Sequence, residues 1–230
     1  MHLTKSVFAA ALFSTVVFAQ AHDSTFQVRY ASNLTAGDSV INITNTGANG
    51  ASLFGPGFGG QAGNICVNVY AFSPDEQLIS CCSCLITPNG LVSLSTQNDL
   101  ISNTLTGTRP NSVVVKLVAT ATGGTAAAPS YTGSSCTNSA AGAGTAFPLA
   151  PAGMAAWGTT LHSANAPTGT GTTVAGPFSV TETAFTPATL SAGELASITN
   201  RCTNIIGNGS TFGICRSCRF GGLGAGSSSR

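Results

Sequence analysis

Hydrophobic residues recur on a period of two in several short stretches of this chain, and that alternation is the pattern of β-strands. Residues 65–72 show it best: Ile65, Val67, Val69 and Ala71 alternate with Cys66, Asn68, Tyr70 and Phe72. Bulk on both faces predicts an inner strand that is covered on both sides. Ser73-Pro74-Asp75-Glu76 follows as a turn, because Pro74 pre-sets φ for the second turn position and Asp75 suits the third. A second strand is expected from Gln77 to about Cys82. After the turn signal Thr87-Pro88-Asn89-Gly90, residues 91–94 form a third, so the centre of the chain is a meander. Alternation also predicts strands at 26–31, 40–44, 112–121, 154–162 and 178–183, and residues 98–103 suit a short helical turn.

A helical period occurs once with clear boundaries. Ser191-Ala192-Gly193-Glu194 has the form of a capping box, in which Ser191 accepts from the third amide and Glu194 reaches back to the cap. Leu195, Ile198, Cys202 and Ile205 then share one face, and Gly207 is the stop. Cys202 on the apolar face predicts a disulfide pinning the helix to the sheet. Many short strands with Gly/Pro-rich connections and one late helix define a mainly β fold, a disulfide-stapled β-sandwich-like domain with one C-terminal amphipathic helix. It is expected to span 22–220. Within it, residues 122–152 lose all periodicity to Ala, Gly, Thr and Ser, and are expected to be a flexible loop tethered by Cys136. A second glycine-rich connection, 47–63, contains Gly55-Pro56-Gly57-Phe58-Gly59-Gly60, which lacks the spacing and the following helix of a phosphate-binding loop. Residues 221–230 read as a disordered tail.

The N-terminus changes the picture. Lys5, the apolar run 6–18 and Ala19-Gln20-Ala21 have the order of a secretory signal peptide, residues 1–21, so the mature chain is expected to begin at His22 with no membrane span after cleavage. The expected location is secreted, extracellular or cell-surface, with the periplasm as an alternative. In such an oxidising compartment Cys66, Cys81, Cys82, Cys84, Cys136, Cys202, Cys215 and Cys218 read as a disulfide framework. If residues 81–84 are extended, Cys82 and Cys84 share one face and Cys81 points to the other. The hairpin then suggests that Cys66 pairs with Cys81 or Cys82. If the chain turns there instead, Cys81 and Cys84 converge and Cys215 and Cys218 complete a four-thiolate metal site.

Charge is sparse. After Ala21 the chain carries seven Lys/Arg and seven Asp/Glu, without a run of either sign, where ordinary domains are about 25% charged. A surface of Ser, Thr, Asn, Gly and Ala offers no basic footprint for nucleic acid and little repulsion against association. Self-association or cell-surface components are therefore the expected partners. Residues 25–31 are one candidate segment for pairing with a neighbouring subunit's sheet edge, the favoured alternative being intramolecular pairing in a monomer.

Catalytic signals are few. No G-x-S-x-G, H-E-x-x-H, phosphate-binding, calcium-loop or haem-attachment motif occurs. Asp75 and Glu76 sit in a turn and read as solvated turn residues, and the Cys215–Cys218 spacing reads as structural rather than redox-active. The expected function is an exported structural, surface or adhesion protein without catalytic activity and without cofactor. Two alternatives have named residues. A carbohydrate- or ligand-binding module would need Trp157, Tyr70 and Tyr131 as an exposed platform. A copper-binding oxidase would use the freed amine and imidazole of His22 together with His162, an arrangement similar to the histidine brace of copper-dependent polysaccharide monooxygenases.

The segments NICVNVYAFSPDEQLISCCSC, TPNGLVSL, WGTTLH and FGICRSCR resemble a group of secreted, cysteine-rich bacterial proteins. That resemblance spans most of the mature chain and implies export and a cysteine-rich domain. It implies no activity and no site residues.

Overall fold

The computed structural model describes residues 23–51, 62–142, 148–162, 165–167, 173–175, 179–216 and 218–220. Residues 1–21, where a signal peptide is expected, His22, the Gly55–Gly60 stretch and residues 221–230 lie outside the described residues. In chain order the strands are β1 (Phe26–Ala31), β2 (Val40–Asn45), β3 (Ile65–Phe72), β4 (Leu78–Ile86), β5 (Leu91–Ser95), β6 (Val113–Ala121), β7 (Gly123–Thr125) and β8 (Ala128–Ser130). They continue with β9 (Met154–His162), β10 (Asn165–Pro167), β11 (Thr173–Ala175), β12 (Ser179–Ala184), β13 (Thr186–Pro187) and β14 (Arg219–Phe220). The helices are α1 (Asn138–Gly142) and α2 (Ala192–Gly207).

Two five-stranded antiparallel sheets stack face to face, one ordered β13-β1-β6-β3-β4 and the other β12-β9-β2-β5-β14. Between them lies one continuous apolar core that includes Ile41, Ile43, Val67, Val69, Leu94, Leu117, Met154 and Phe185. A second core lies on the opposite face of the first sheet, where Phe26, Tyr70, Phe72, Leu78 and Val118 meet Ile198, Cys202 and Ile205 of α2. Every residue of β3 is buried. That strand is central in a three-layer arrangement, sheet on sheet with a helix outside, which is why its sequence is bulky on both faces.

The turns follow the chemistry of their residues. Glu76 N donates to Ser73 O at 3.0 Å, with Glu76 at φ 64° where the hairpin closes. Asp75 is fully exposed, and its hydrogen bond from the Ser73 hydroxyl holds its carboxyl below the usual range. At the next turn Gly90 N donates to Thr87 O at 2.8 Å, with Asn89 at φ 59°. Helix α2 is capped by Ser191, whose hydroxyl accepts from Glu194 N at 3.1 Å. The other half of the expected box is absent, because the Glu194 carboxylate instead pairs with Lys116 Nζ at 2.6 Å. The helical turn expected at 98–103 is a single π-type turn, Thr96–Leu100, capped by Ser95.

Several expectations are corrected. Residues 122–152 are not without structure where described: β7 and β8 pair as a small hairpin, and α1 packs beside α2 through Thr203 Oγ1 donating to Gly142 O at 2.7 Å. Residues 143–147 lie outside the described residues. Of the two readings of residues 25–31, the intramolecular one holds for β1, which pairs with β6 along its whole length and with β13 at Gln27 and Val28. Intramolecular partners therefore take the hydrogen bonds along one whole edge of the strand and, on the other edge, those at Gln27 and Val28.

Candidate functional site

All eight cysteines are bridged: Cys66–Cys136, Cys81–Cys202, Cys82–Cys215 and Cys84–Cys218. Pairing of Cys66 with Cys81 or Cys82 is overturned by the hairpin register. Cys66 stands opposite Leu85, whereas Tyr70 faces Cys81 and Val69 faces Cys82. An offset of three or four residues at about 3.3 Å each is more than 9 Å, beyond the roughly 7 Å Cα separation a disulfide can span. Cys66 reaches the loop instead, and Cys136 ties that loop to β3.

The thiolate-knuckle alternative is excluded by the extended backbone of β4. Cys81 faces the helix layer and bonds Cys202, while Cys82 and Cys84 face the inter-sheet core. The sulfurs of Cys82, Cys84 and Cys218 lie within 4.8 Å of one another, a proximity accounted for by two neighbouring disulfides. These bridges have a place in the architecture. The segment that carries Cys215 and Cys218 follows α2 and joins β5 through β14, so it closes the seam between β4 of one sheet and β5 of the other.

The opposite seam, where β1 faces β9 and β12, contains no cysteine. It is held by Gln27, whose Nε2 donates to Met154 O at 2.7 Å, and by Arg29, whose side chain crosses between the sheets. Arg29 Nη1 donates to the Thr183 carbonyl at 2.9 Å and to the Thr183 hydroxyl, and Nη2 donates to Thr160 Oγ1 at 2.7 Å. Its path passes directly over Gly158, where an added Cβ would stand 2.3 Å from Arg29 Nε. Arg29 is 7% exposed and Nε has no hydrogen-bond partner. Burial lowers its pKa, opposed in part by the field of Glu182. Glu182 is not its hydrogen-bond partner; that carboxylate lies on the outer face of the sheet and accepts from Asn42 Nδ2 at 3.3 Å.

Beside Arg29 the seam opens into a cleft of about 580 Å³ walled by Tyr30, Arg29, Thr160, His162, Thr181 and Thr183, among others. His162 is the last residue of β9, and its Nε2 shares a 2.8 Å hydrogen bond with Thr181 Oγ1. Its proposed copper partner, His22, lies outside the described residues. The aromatic platform does not assemble. Trp157 is partly buried on the outer face of its sheet, opposite Asn42 on β2. Tyr70 is fully buried in the helix-side core, its hydroxyl donating to Ala141 O at 2.7 Å and its pKa raised by burial. Tyr131 packs against the inter-sheet core, so the three rings lie in different layers.

Arg29 and its cleft were not legible as a site. In Phe26-Gln27-Val28-Arg29-Tyr30 the polar residues read as a solvent face, but that face looks into the sandwich and the apolar face is covered by the helix layer. Gly158 in the middle of a strand was the available signal, since an interior strand glycine marks a close approach by another group. No family model, curated protein or solved structure matches the chain. The four disulfides themselves place the folded chain in an oxidising environment. Among the described residues no helix is long and apolar enough to cross a membrane.

Proposed function

We propose that this chain is an exported, non-catalytic component of a cell surface or extracellular matrix, whose work is durable association. The observation that carries the reading is the open edge at β12. Ser179–Ala184 is the outermost strand of its sheet, its residues are almost all exposed, and among the described residues it pairs on one side only, with β9. A free row of backbone donors and acceptors templates the addition of another strand unless charge or proline blocks it. Here the sole charge on the strand is Glu182. Four disulfides and a charge-poor surface suit the same role, the first by resisting unfolding outside the cell and the second by offering little repulsion. The signal-peptide pattern and the resemblance to secreted cysteine-rich proteins supply the export half of the proposal.

The test is at Val180, which is 58% exposed and turned away from the core. Sedimentation of the mature chain is expected to show concentration-dependent association. Val180→Lys should shift it toward monomer while far-ultraviolet circular dichroism stays unchanged, because a lysine on an edge strand opposes pairing. A wild-type chain that remains monomeric up to millimolar concentration would overturn the reading, as would association indifferent to Val180→Lys.

A further inference from the structure

The cleft at the Arg29 seam has a charge that nothing in the described chain neutralises by contact. The salt bridge found among the described residues is Lys116–Glu194, on the far side of the first sheet. Among the described residues Arg29 is held by a carbonyl and two hydroxyls, and Glu182 acts on it through space. A buried cation without a counter-ion is destabilised relative to a paired one, so an anion entering this cleft gains what the fold leaves unmet. The fold uses three of the five guanidinium N–H donors and Nε is sealed from solvent, which leaves one Nη2 hydrogen for a charge-assisted bond to an anion.

The rest of the wall adds a second chemistry. Thr160, Thr181 and Thr183 present hydroxyls that both donate and accept. Such hydroxyls suit a polyhydroxylated ligand. The volume of about 580 Å³ lies within the range of small-molecule sites, roughly 300–1,000 Å³. We propose that this cleft binds the carboxylate-bearing ring of an acidic sugar, with Arg29 taking the carboxylate and the threonine hydroxyls taking the ring hydroxyls. The site is independent of strand pairing at β12 and holds whether or not copies of the chain associate.

Because Arg29 also joins the two sheets, its removal could unfold the protein and would be a poor test alone. Thr183→Asp is better placed, since Thr183 already touches the guanidinium and is itself exposed. That aspartate would supply a counter-ion from within the chain and occupy the cation. Calorimetric titration of the mature protein at low ionic strength would use tri-galacturonate, the neutral galactotriose and sodium sulfate. Saturable binding is expected for tri-galacturonate, at least ten-fold tighter than for the neutral sugar or for sulfate. Thr183→Asp should weaken tri-galacturonate at least ten-fold while raising the melting temperature. The proposal is overturned if tri-galacturonate shows no saturable binding, if galactotriose or sulfate binds as well as it does, or if Thr183→Asp leaves the affinity unchanged.

Discussion

Replacing the Cys66–Cys136 pair with alanines is expected to cost about 4 kcal/mol, more than removing any other single bridge, although it secures the glycine-rich loop rather than the core. The reason is topological. In the chain-entropy model a crosslink contributes according to the loop it closes in the unfolded chain, and the three remaining bridges shorten one another's loops. Cys81–Cys202, Cys82–Cys215 and Cys84–Cys218 join nearly the same two segments, with sequence separations of 121, 133 and 134. With the first intact, the second closes a ring of only roughly 15 residues, for about 3 kcal/mol, and the third a smaller ring still, for about 2 kcal/mol. Cys66–Cys136, separated by 70, is shortened by none of them. Urea unfolding of the four paired alanine variants measures this ranking directly. Reduction of all four together should remove on the order of 10 kcal/mol, comparable with the whole stability of a domain at about 5–15 kcal/mol. The reduced chain should therefore lose its sheet signal at 25 °C. A Cys66–Cys136 variant that is less affected than the Cys84–Cys218 variant would show that strain or core packing, rather than loop closure, sets the contribution of these bridges.

Those partners could not be read from the chain, and the reason separates what was legible from what was not. Strands β1, β3 and β9 lie where alternation put them, because period-two burial is a local property, and α2 begins at its Ser191 cap for the same reason. The division of Cys81 from Cys82 and Cys84 between two faces was likewise local, a consequence of extended backbone. Disulfide partners depend on which elements become neighbours across separations of 70 to 134 residues. The hairpin suggested Cys66 with Cys81 or Cys82, a pairing that the observed register with Leu85 opposite Cys66 rules out, and the partner actually used lies in a segment with no periodicity. The third layer was the other hidden element. Once α2 covers the outer face of the first sheet, the apolar side of β1 turns toward the helix and Arg29 is forced inward. A charged residue in an amphipathic strand reads as solvated until the layer count is known.

The contact between Arg29 and Gly158 provides the second large effect. Gly158→Ala is expected to destabilise the fold by roughly 2–4 kcal/mol, because the new Cβ takes the place of the guanidinium and overpacking is joined by the loss of charged hydrogen bonds. The atoms it would meet are Arg29 Nε at 2.3 Å, with Cδ and Cζ both at 2.7 Å, so the middle of the side chain must move rather than its tip. Displacing it breaks the bonds to Thr160 and Thr183, which cross the seam that lacks disulfides beside the bond from Gln27 Nε2 to Met154 O at 2.7 Å. Backbone strain does not contribute, since Gly158 is absent from the positive-φ glycines. The two contributions can therefore be separated by a double-mutant cycle. In an Arg29→Met background, Gly158→Ala should cost less than 1 kcal/mol, because a flexible apolar chain can yield to the methyl and no charged bond remains to be lost. Equal costs in the two backgrounds would mean that the alanine acts on the sheet itself and that Arg29 does not hold this seam. With the expected coupling, the two edges of the sandwich are closed by different chemistry. One is covalent, while the other relies on hydrogen bonds, those of the buried Arg29 cation among them.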